Sequence, residues 1–574
     1  MISRTHALEA MASETFDVVV IGGGITGAGV ALDAATRGYS VALIEKSDYA
    51  AGTSGRSSKL VHGGLRYLQN FDLGLVREAL VERQLMVRLA PHLVTPLPLV
   101  VPAFEGARPD RLVGLGLNMY DVMAARGPRG RLAARREAAR EPGGASATDW
   151  SPERHRVISG EEVVELLPAL AGRDPSGGYL FYDCQTDDAR LVLTVLGEAE
   201  RFGAVCANGL EARELVQEGG RAAGVRVREA DSGEEWVLGA DAVINATGVW
   251  ADRLRPEELH DAAEVPRIRP SRGTHIVLSA EDVPLEAGAI VPAPGGRTVF
   301  VLPWLGRALV GTTDNDYEGE LEHIRPSEED VFYLLEVVND AFGTSFGPER
   351  LTGAYAGVRP LISTADTKKS VDISRKAELF ETSSGLITIT GGKLTTWRRM
   401  AKLAVDRMVE REGREAPCRT QEIPLGLAVS PESLPAVEGV SEASYAALAQ
   451  RYGHAAHDVL RLAAAGSGSG SGSGSGEDLT QPILAGAPDL LAEVAHAARH
   501  EQVRSVGDVL LRRTRLGLIA GRELCEERSE VPGRVARALA GELGWDEARV
   551  ERETERFGAE AAAEGIVPLA VPPA

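Results

Sequence analysis

The alternation of apolar and polar positions is most informative between Phe16 and Lys46, FDVVVIGGGITGAGVALDAATRGYSVALIEK. Asp17 to Ile21 reads as a buried strand, and a run of glycines stops it at once. Ala28 to Arg37 has helical spacing and ends at Gly38, and Val41 to Ile44 is a second short apolar run closed by Glu45. Leu, Val and Met recur at helical spacing through Asp72 to Leu89, which predicts a helix packed into a core. Val94 to Met123 is largely apolar, with prolines early and LVGLGLNMYDVM late. Arg190 to Ala204 reads as a helix, and Val225 to Val227 and Trp236 to Leu238 as strands of a small antiparallel piece. Asp241 to Gly248, DAVINATG, is a buried strand ending at a glycine turn. Thr274 to Leu278, Thr298 to Leu302 and Ala308 to Gly311 are β-rich and broken by Pro and Gly, suggesting the antiparallel sheet of a second domain. Leu386 to Met400 reads as strand, double glycine, then helix. After about Gly426 the pattern is helical throughout, predicting an all-α domain interrupted by the flexible GSGSGSGSGSG run of Gly466 to Gly476. Met1 to Thr15 is expected to be a loose leader and VPLAVPPA a disordered tail.

Gly22, Gly24 and Gly27 fit G-x-G-x-x-G inside a strand–turn–helix–strand unit, with the acid Glu45 about 20 residues on. Each residue type has a physical task. Gly22 permits the tight turn, Gly24 lets backbone approach a pyrophosphate, and Gly27 lets the helix lie close to the strand. The helix start offers unpaired N–H groups and positive dipole to phosphates. The unit predicts dinucleotide binding, against a glycine turn with only a packing role.

At 574 residues, two or three domains are expected. The chain has 62 Lys and Arg against 83 Asp and Glu, a formal charge of −21, which argues against nucleic acid as a partner. An anionic substrate would therefore need a local concentration of Arg and Lys. Cys184, Cys206, Cys418 and Cys525 are widely spaced without a CxxC pair, so neither a disulfide frame nor a metal site is expected. MISRTHALEAMASET lacks the apolar run of a signal peptide, and no segment has about 18 uninterrupted apolar residues. The expected location is the cytoplasmic side, with peripheral attachment to the membrane left open.

Ala51 to Leu68, AGTSGRSSKLVHGGLRYL, follows the ribose-binding acid and concentrates the donors Ser57, Ser58, Lys59, His62, Arg66 and Tyr67. It reads as an active-site segment in preference to a plain loop. Arg126 to Arg140, RGPRGRLAARREAAR, gathers arginines in an acidic protein. It is either a solvated surface or a patch that meets anionic headgroups while its apolar neighbour dips into the interface.

The strings IGGGITGAGVALDAATRG, SSKLVHGGLRYL, DDARLVL, NATGVWAD, GTHIVL, LPWLGRALVGTTD, GVRPL and GGKLTTWRRMA stand in the order found in FAD-dependent glycerol-3-phosphate dehydrogenases. The chain resembles that aerobic, respiratory family from about Phe16 to Met408, and its helical C-terminal part is similar too. The resemblance implies an α/β FAD-binding dinucleotide fold of the glutathione-reductase/D-amino-acid-oxidase type, with an antiparallel-sheet substrate domain and an all-α C-terminal domain. The implied division is FAD-binding parts at 16–90, 156–265 and 356–420, a substrate or membrane-facing segment at 91–155, a substrate domain at 266–355 and a helical domain at 421–565.

Carried over by position, Gly22, Gly24, Ile25, Thr26, Gly27, Glu45 and Lys46 would hold the ADP half of a non-covalent FAD. Ser57, Ser58, Lys59, Leu60, His62, Gly63 and Gly64 would line its flavin and ribityl chain, with His62 not expected to be covalently linked. Ala246, Thr247, Gly248 and Trp250 match a second flavin-contacting turn, and Gly392, Lys393, Leu394 and Thr395 would bring a helix start to the flavin pyrimidine edge. The implied substrate is sn-glycerol 3-phosphate, whose dianion calls for Arg66, Arg359, Arg375 and Lys393, with Tyr67 and Thr312 as hydroxyl donors. His275 is the candidate base for the C2 hydroxyl proton as hydride leaves C2 for flavin N5, with Arg66 as an alternative that holds the alkoxide. Arg66, Arg359 and Lys393 complete the catalytic set. Electrons would pass to membrane quinone, or, in the rival reading, to oxygen with peroxide formed. An amine or amino-acid oxidase on the same fold would not need the cationic set, and a non-catalytic flavin-binding protein would not need either site intact. A homodimer is expected, although no sequence feature specifies it.

Overall fold

The computed structural model describes residues 3–64, 72–104, 111–124, 153–254, 267–363, 377–466 and 477–567. Arg66, Tyr67, Arg375, the arginine cluster 126–140, the glycine–serine run from 467 and the tail from 568 lie outside these residues.

The strand Phe16–Ile21 is buried almost throughout because it is central in a sheet covered on both faces, which is why it reads as an unbroken apolar run. It pairs in parallel with Val41–Ile44 (Val20 opposite Leu43) and with Glu235–Asn245 (Val20 opposite Ile244). Val205–Ala207 extends the sheet beyond Val41–Ile44, and Ile387–Gly391 joins the far side of Glu235–Asn245 in parallel. Three distant stretches of chain therefore build one dinucleotide-type sheet. The long strand Glu235–Asn245 leaves it at its start to pair with Arg221–Glu229, which forms a hairpin with Leu210–Glu218.

Among the described residues the second sheet has ten strands, and its longest pairing sets Arg267–Ser279 antiparallel to Leu351–Ser363. Arg307–Gly311 lies on the other side of Arg267–Ser279, placing Gly311 opposite His275. The helix Glu328–Phe342 buries Val331, Leu334, Leu335 and Val338 against this sheet. The helices from Glu442–Tyr452 to Glu547–Glu564 share a core with Val277, Leu309 and Tyr355 of the same sheet. A backbone bond from Ala354 N–H to Ile566 O, 3.1 Å, also ties them to it.

Four expectations are corrected. The supposed leader is a helix, Arg4–Ser13, capped by the Ser3 side chain and seated through fully buried Ala7 and Met11. Its Arg4 guanidinium donates to Glu229 and to the Asn208 carbonyl. The proline-rich stretch before 104 is a sheet strand, Thr95–Ala103, paired antiparallel with Gly177–Gln185. Pro96, Pro98 and Pro102 share one parity along it, so their missing donors fall on a single edge and the other edge keeps its ladder. Both strands belong to the second sheet, so the divisions at 91–155 and 156–265 do not follow the sheets, and the 355/356 boundary cuts the strand Leu351–Ser363. Finally, the helix after the double glycine begins at Trp397, because Leu394–Thr396 forms a tight 3-10 turn first.

Candidate active site

A cavity of about 1320 Å³ runs between the two sheets. Gly22, Gly24, Ile25, Thr26, Glu45 and Lys46 line one part, and Ser57, Ser58, Leu60, His62, Gly64, Ala246, Thr247, Gly248 and Trp250 continue its wall. Gly392, Lys393, Leu394, Thr395, His275, Thr312 and Arg359 complete the set of predicted residues on it. Three predicted residues are not on the wall. Gly27 instead allows the helix to close on the strand, since a Cβ there would lie 1.9 Å from Gly22 O. Gly63 donates its N–H to Tyr120 Oη at 2.9 Å, and Lys59 turns inward to a buried carboxylate.

The first part is built from close backbone approaches. Gly22 has φ +114°, and a Cβ on it would meet Ala246 O at 2.7 Å. The helix Ile25–Thr36 starts at the wall, where Ser54 Oγ accepts the Ile25 N–H at 2.9 Å. Glu45 Oε1 accepts from Ser47 N–H at 2.9 Å and Ser47 Oγ at 3.1 Å, while Oε2 accepts only from Gly23 N–H at 2.8 Å and so keeps a lone pair toward the cavity. Burial pushes its pKa up. The Lys46 ammonium sits 4.3 Å from the Trp250 ring centroid, giving this end a flat cationic wall.

Further along, separate segments are stitched together. Thr395 Oγ1 accepts the His62 N–H and donates to the His62 carbonyl, both at 3.1 Å. Thr390 Oγ1 donates to Gly248 O at 3.1 Å. The predicted helix start at Lys393 is thus a turn bonded to the active-site segment, while the α-helix proper begins later.

His275 is buried, with Nε2 2.8 Å from Ser58 Oγ and with no hydrogen-bond partner for Nδ1 among the described residues. Its ring approaches Gly311 so closely that a Cβ there would lie 2.2 Å from Cδ2. Burial, then the charges of Lys59 and Arg359, hold its pKa well below the usual imidazole range, so it stays neutral near neutral pH. Arg359 pairs with Asp314 at 3.3 Å and donates to Thr312 Oγ1 at 3.2 Å, an ion pair that aims the guanidinium along the cavity wall.

Sequence reasoning missed what lies behind this wall. Asp188, fully buried, accepts from Lys59 Nζ at 2.8 Å and from the Ser57 N–H at 2.9 Å. It also accepts from Arg515 at 2.8 Å. Burial and the Arg515 charge push the Lys59 pKa down to about 7. Asp188 sits in the quoted string DDARLVL, the one available signal, whereas Arg515 and Tyr355 carry none that separates them from surface or core residues.

Residues 17–407 match the family model described as FAD dependent oxidoreductase, and 387–550 match the C-terminal domain of alpha-glycerophosphate oxidase. The chain is 39% identical to glycerol-3-phosphate dehydrogenase 1 of Mycobacterium tuberculosis over 531 residues, covering 90% of this chain and 94% of the relative. It is 37% identical to the aerobic glycerol-3-phosphate dehydrogenase of Bacillus subtilis over 431 residues, 74% of this chain and 73% of that one. A glycerol-3-phosphate dehydrogenase from Bacillus halodurans, solved in complex with FAD, superposes with a TM-score of 0.74 at 27% identity, covering 99% of each chain. With a matching oxidoreductase model over residues 17–407 and 39% identity to a glycerol-3-phosphate dehydrogenase over 90% of its length, the chain belongs to the family of FAD-dependent glycerol-3-phosphate dehydrogenases.

Proposed function

We propose that the protein oxidises sn-glycerol 3-phosphate to dihydroxyacetone phosphate and that its electrons pass to a membrane quinone. The observation that supports this most directly is the sharing of one cavity wall by neutral His275 and cationic Arg359. A secondary alcohol next to a phosphate dianion needs both a proton acceptor and a fixed cation at short range. Bound FAD supplies the hydride acceptor at N5. The protein supplies the remaining parts. His275 takes the C2 hydroxyl proton, with Ser58 fixing the imidazole. Arg359, oriented by Asp314, binds phosphate with Thr312 beside it, and Lys393 adds positive charge at the Gly392–Thr395 turn. Arg66, Tyr67 and Arg375 are proposed as further substrate contacts. Residues Glu45 and Gly24 with the helix start at Ile25 are proposed to hold the ADP half.

For the acceptor, two structural features favour quinone. The cavity wall includes Val101, Val113, Ile290 and Phe300, an apolar set suited to a quinone ring. Val113 belongs to the helix Arg111–Ala124, which exposes Leu115 at 59% and Val122 at 75%. No helix among the described residues is long and apolar enough to cross a membrane, so the reading is attachment at the surface of one. The matched oxidase C-terminal model supports the second reading, transfer to oxygen with peroxide formed.

One experiment decides both points. Purified yellow protein is mixed anaerobically with glycerol 3-phosphate while flavin absorbance is followed at about 450 nm, and then a soluble quinone or oxygen is admitted. Rapid bleaching followed by fast recovery with quinone and slow recovery with oxygen is expected. Fast recovery with oxygen would establish the oxidase, and an unbleached flavin would remove the substrate assignment.

A further inference from the structure

We infer that Arg515, from the helical C-terminal domain, is a positioning residue for the reacting site, acting on His275 through Asp188 and the Gly55–Lys59 loop. The inference rests on the reading of His275 as proton acceptor.

Arg515 Nη2 donates to Asp188 Oδ1 at 2.8 Å and to the Gly55 carbonyl at 2.6 Å. Asp188 Oδ2 in turn accepts from the Ser57 N–H at 2.9 Å, from Ser57 Oγ at 2.7 Å and from Lys59 Nζ at 2.8 Å. The loop is therefore gripped at both ends around one buried carboxylate. Ser57 and Ser58 of this loop then fix His275, Ser58 by a direct polar contact and Ser57 through Tyr355. The Ser57 carbonyl accepts from Tyr355 Oη at 2.8 Å, and Tyr355 stacks on the His275 ring; Ser58 Oγ reaches His275 Nε2 at 2.8 Å. Lys59 and Arg515 both adopt left-handed backbone, φ +60° and +67°, which non-glycine residues hold only when their surroundings impose it.

Docking of the helical domain does not depend on Arg515. Arg513 pairs with Asp48 at 2.8 Å, Arg512 with the same carboxylate at 2.7 Å, and Ala354 bonds Ile566 through backbone. What Arg515 adds to that docking, besides a 3.6 Å pair with Asp187, is a hold on Asp188 and Gly55, both of which Lys59 Nζ also bonds, and so on the loop facing His275.

The test is a double-variant cycle on the full-length holoenzyme, reading the limiting rate constant of flavin reduction by glycerol 3-phosphate and the substrate dissociation constant in anaerobic stopped flow. Arg515→Met is expected to lower the rate constant by about 30-fold or more, since displacement of a reacting group by about 1 Å costs about 100-fold. The dissociation constant should move by less than about threefold, because Arg359 is untouched, and Arg515→Lys should recover part of the rate. Combined with Ser58→Ala, the loss should be well short of the product of the single losses, as expected for groups acting in one chain of contacts. Fully multiplicative losses, an unchanged rate in Arg515→Met, or an effect confined to substrate affinity would overturn the inference. If Arg515→Met does not accumulate as yellow protein, Arg515→Lys enters the same cycle under the same criteria. A wild-type protein that glycerol 3-phosphate does not bleach would remove the underlying functional reading, whereas normal wild-type bleaching with a normal Arg515 variant would remove only this role.

Discussion

The imidazole of His275 lies against the phenol of Tyr355, ring centroids 4.7 Å apart and planes within 14° of parallel. The two residues face each other across adjacent strands, His275 on Arg267–Ser279 and Tyr355 on Leu351–Ser363, so the register of the sheet itself sets the stack. The ring face is fixed by an aromatic wall, while Ser58 fixes the edge. Tyr355→Phe keeps the wall and loses only the bond to Ser57 O. It should cost about 1 kcal/mol of stability and change flavin reduction by only a few-fold. Tyr355→Ala removes the wall and should slow reduction far more than Tyr355→Phe does. Stopped-flow reduction and denaturant midpoints on both variants distinguish these effects, and equal rates in the two would mean that the stack has no part in catalysis.

Replacing the proposed base itself has a different signature. His275→Gln should reduce the rate of flavin reduction by about 10² to 10⁴, the range typical of a lost general base, while glycerol 3-phosphate still binds through Arg359. Photochemical or dithionite reduction of the flavin should be unaffected. A variant reduced by substrate at the wild-type rate would assign the proton to another group.

Arg359 is proposed to bind the phosphate, and the uncharged alcohol glycerol supplies the control. Arg359→Lys keeps a cation beside Asp314 but loses the second nitrogen, which reaches Thr312. The expected result is a rise of about tenfold in the dissociation constant for glycerol 3-phosphate, about 1.4 kcal/mol, with little change in whatever flavin reduction a high concentration of glycerol produces. Equal losses for both substrates would make Arg359 a structural ion pair.

The buried histidines make stability depend on pH in a stated direction. Burial lowers His92 and His496 to about 4 each, and burial with the Lys59 and Arg359 charges lowers His275. Below about pH 6.5 the unfolded chain binds protons that these folded sites refuse, so stability is complete above that pH and is lost as pH falls toward 4. Between pH 7.5 and 5.5 the loss should be about 1 kcal/mol for each such histidine, read from urea midpoints. Both His92→Gln and His496→Gln should flatten the profile. A midpoint that does not move over this interval would place these side chains in contact with water.

The parts of this architecture readable from sequence are those with a local period or a long motif. The strand–glycine–helix unit was legible because Phe16–Ile21 is buried on both faces and Gly22 and Gly27 answer steric demands a few residues away. Strand pairing across hundreds of residues leaves no such mark, so the sharing of one sheet by Thr95–Ala103, Gly177–Gln185 and Arg267–Ser279 was not visible. The Lys59–Asp188–Arg515 cluster was hidden for a related reason. Each charge reads as surface by itself, and only the fold brings three of them into a dry interior where they pair.

The N-terminal helix was missed because its buried face is only Ala7 and Met11, too narrow a stripe to show periodicity. Its burial is nevertheless complete. Met11 packs into the cluster of Phe16, Val19, Ile44 and Leu238, and its carbonyl accepts from the Trp236 indole N–H at 3.3 Å. Met11→Ala should therefore leave a cavity and cost about 2–5 kcal/mol, the range for large-to-small changes in a core. The limiting rate of flavin reduction at low temperature should stay within about twofold of wild type, because nothing in the helix lines the cavity. Urea titration followed by far-UV circular dichroism measures the first quantity and stopped flow the second. An unchanged midpoint would mean that the segment does not dock, whereas a lost midpoint accompanied by slowed reduction would tie the helix to the cavity by way of the Arg4 bond to Asn208 O.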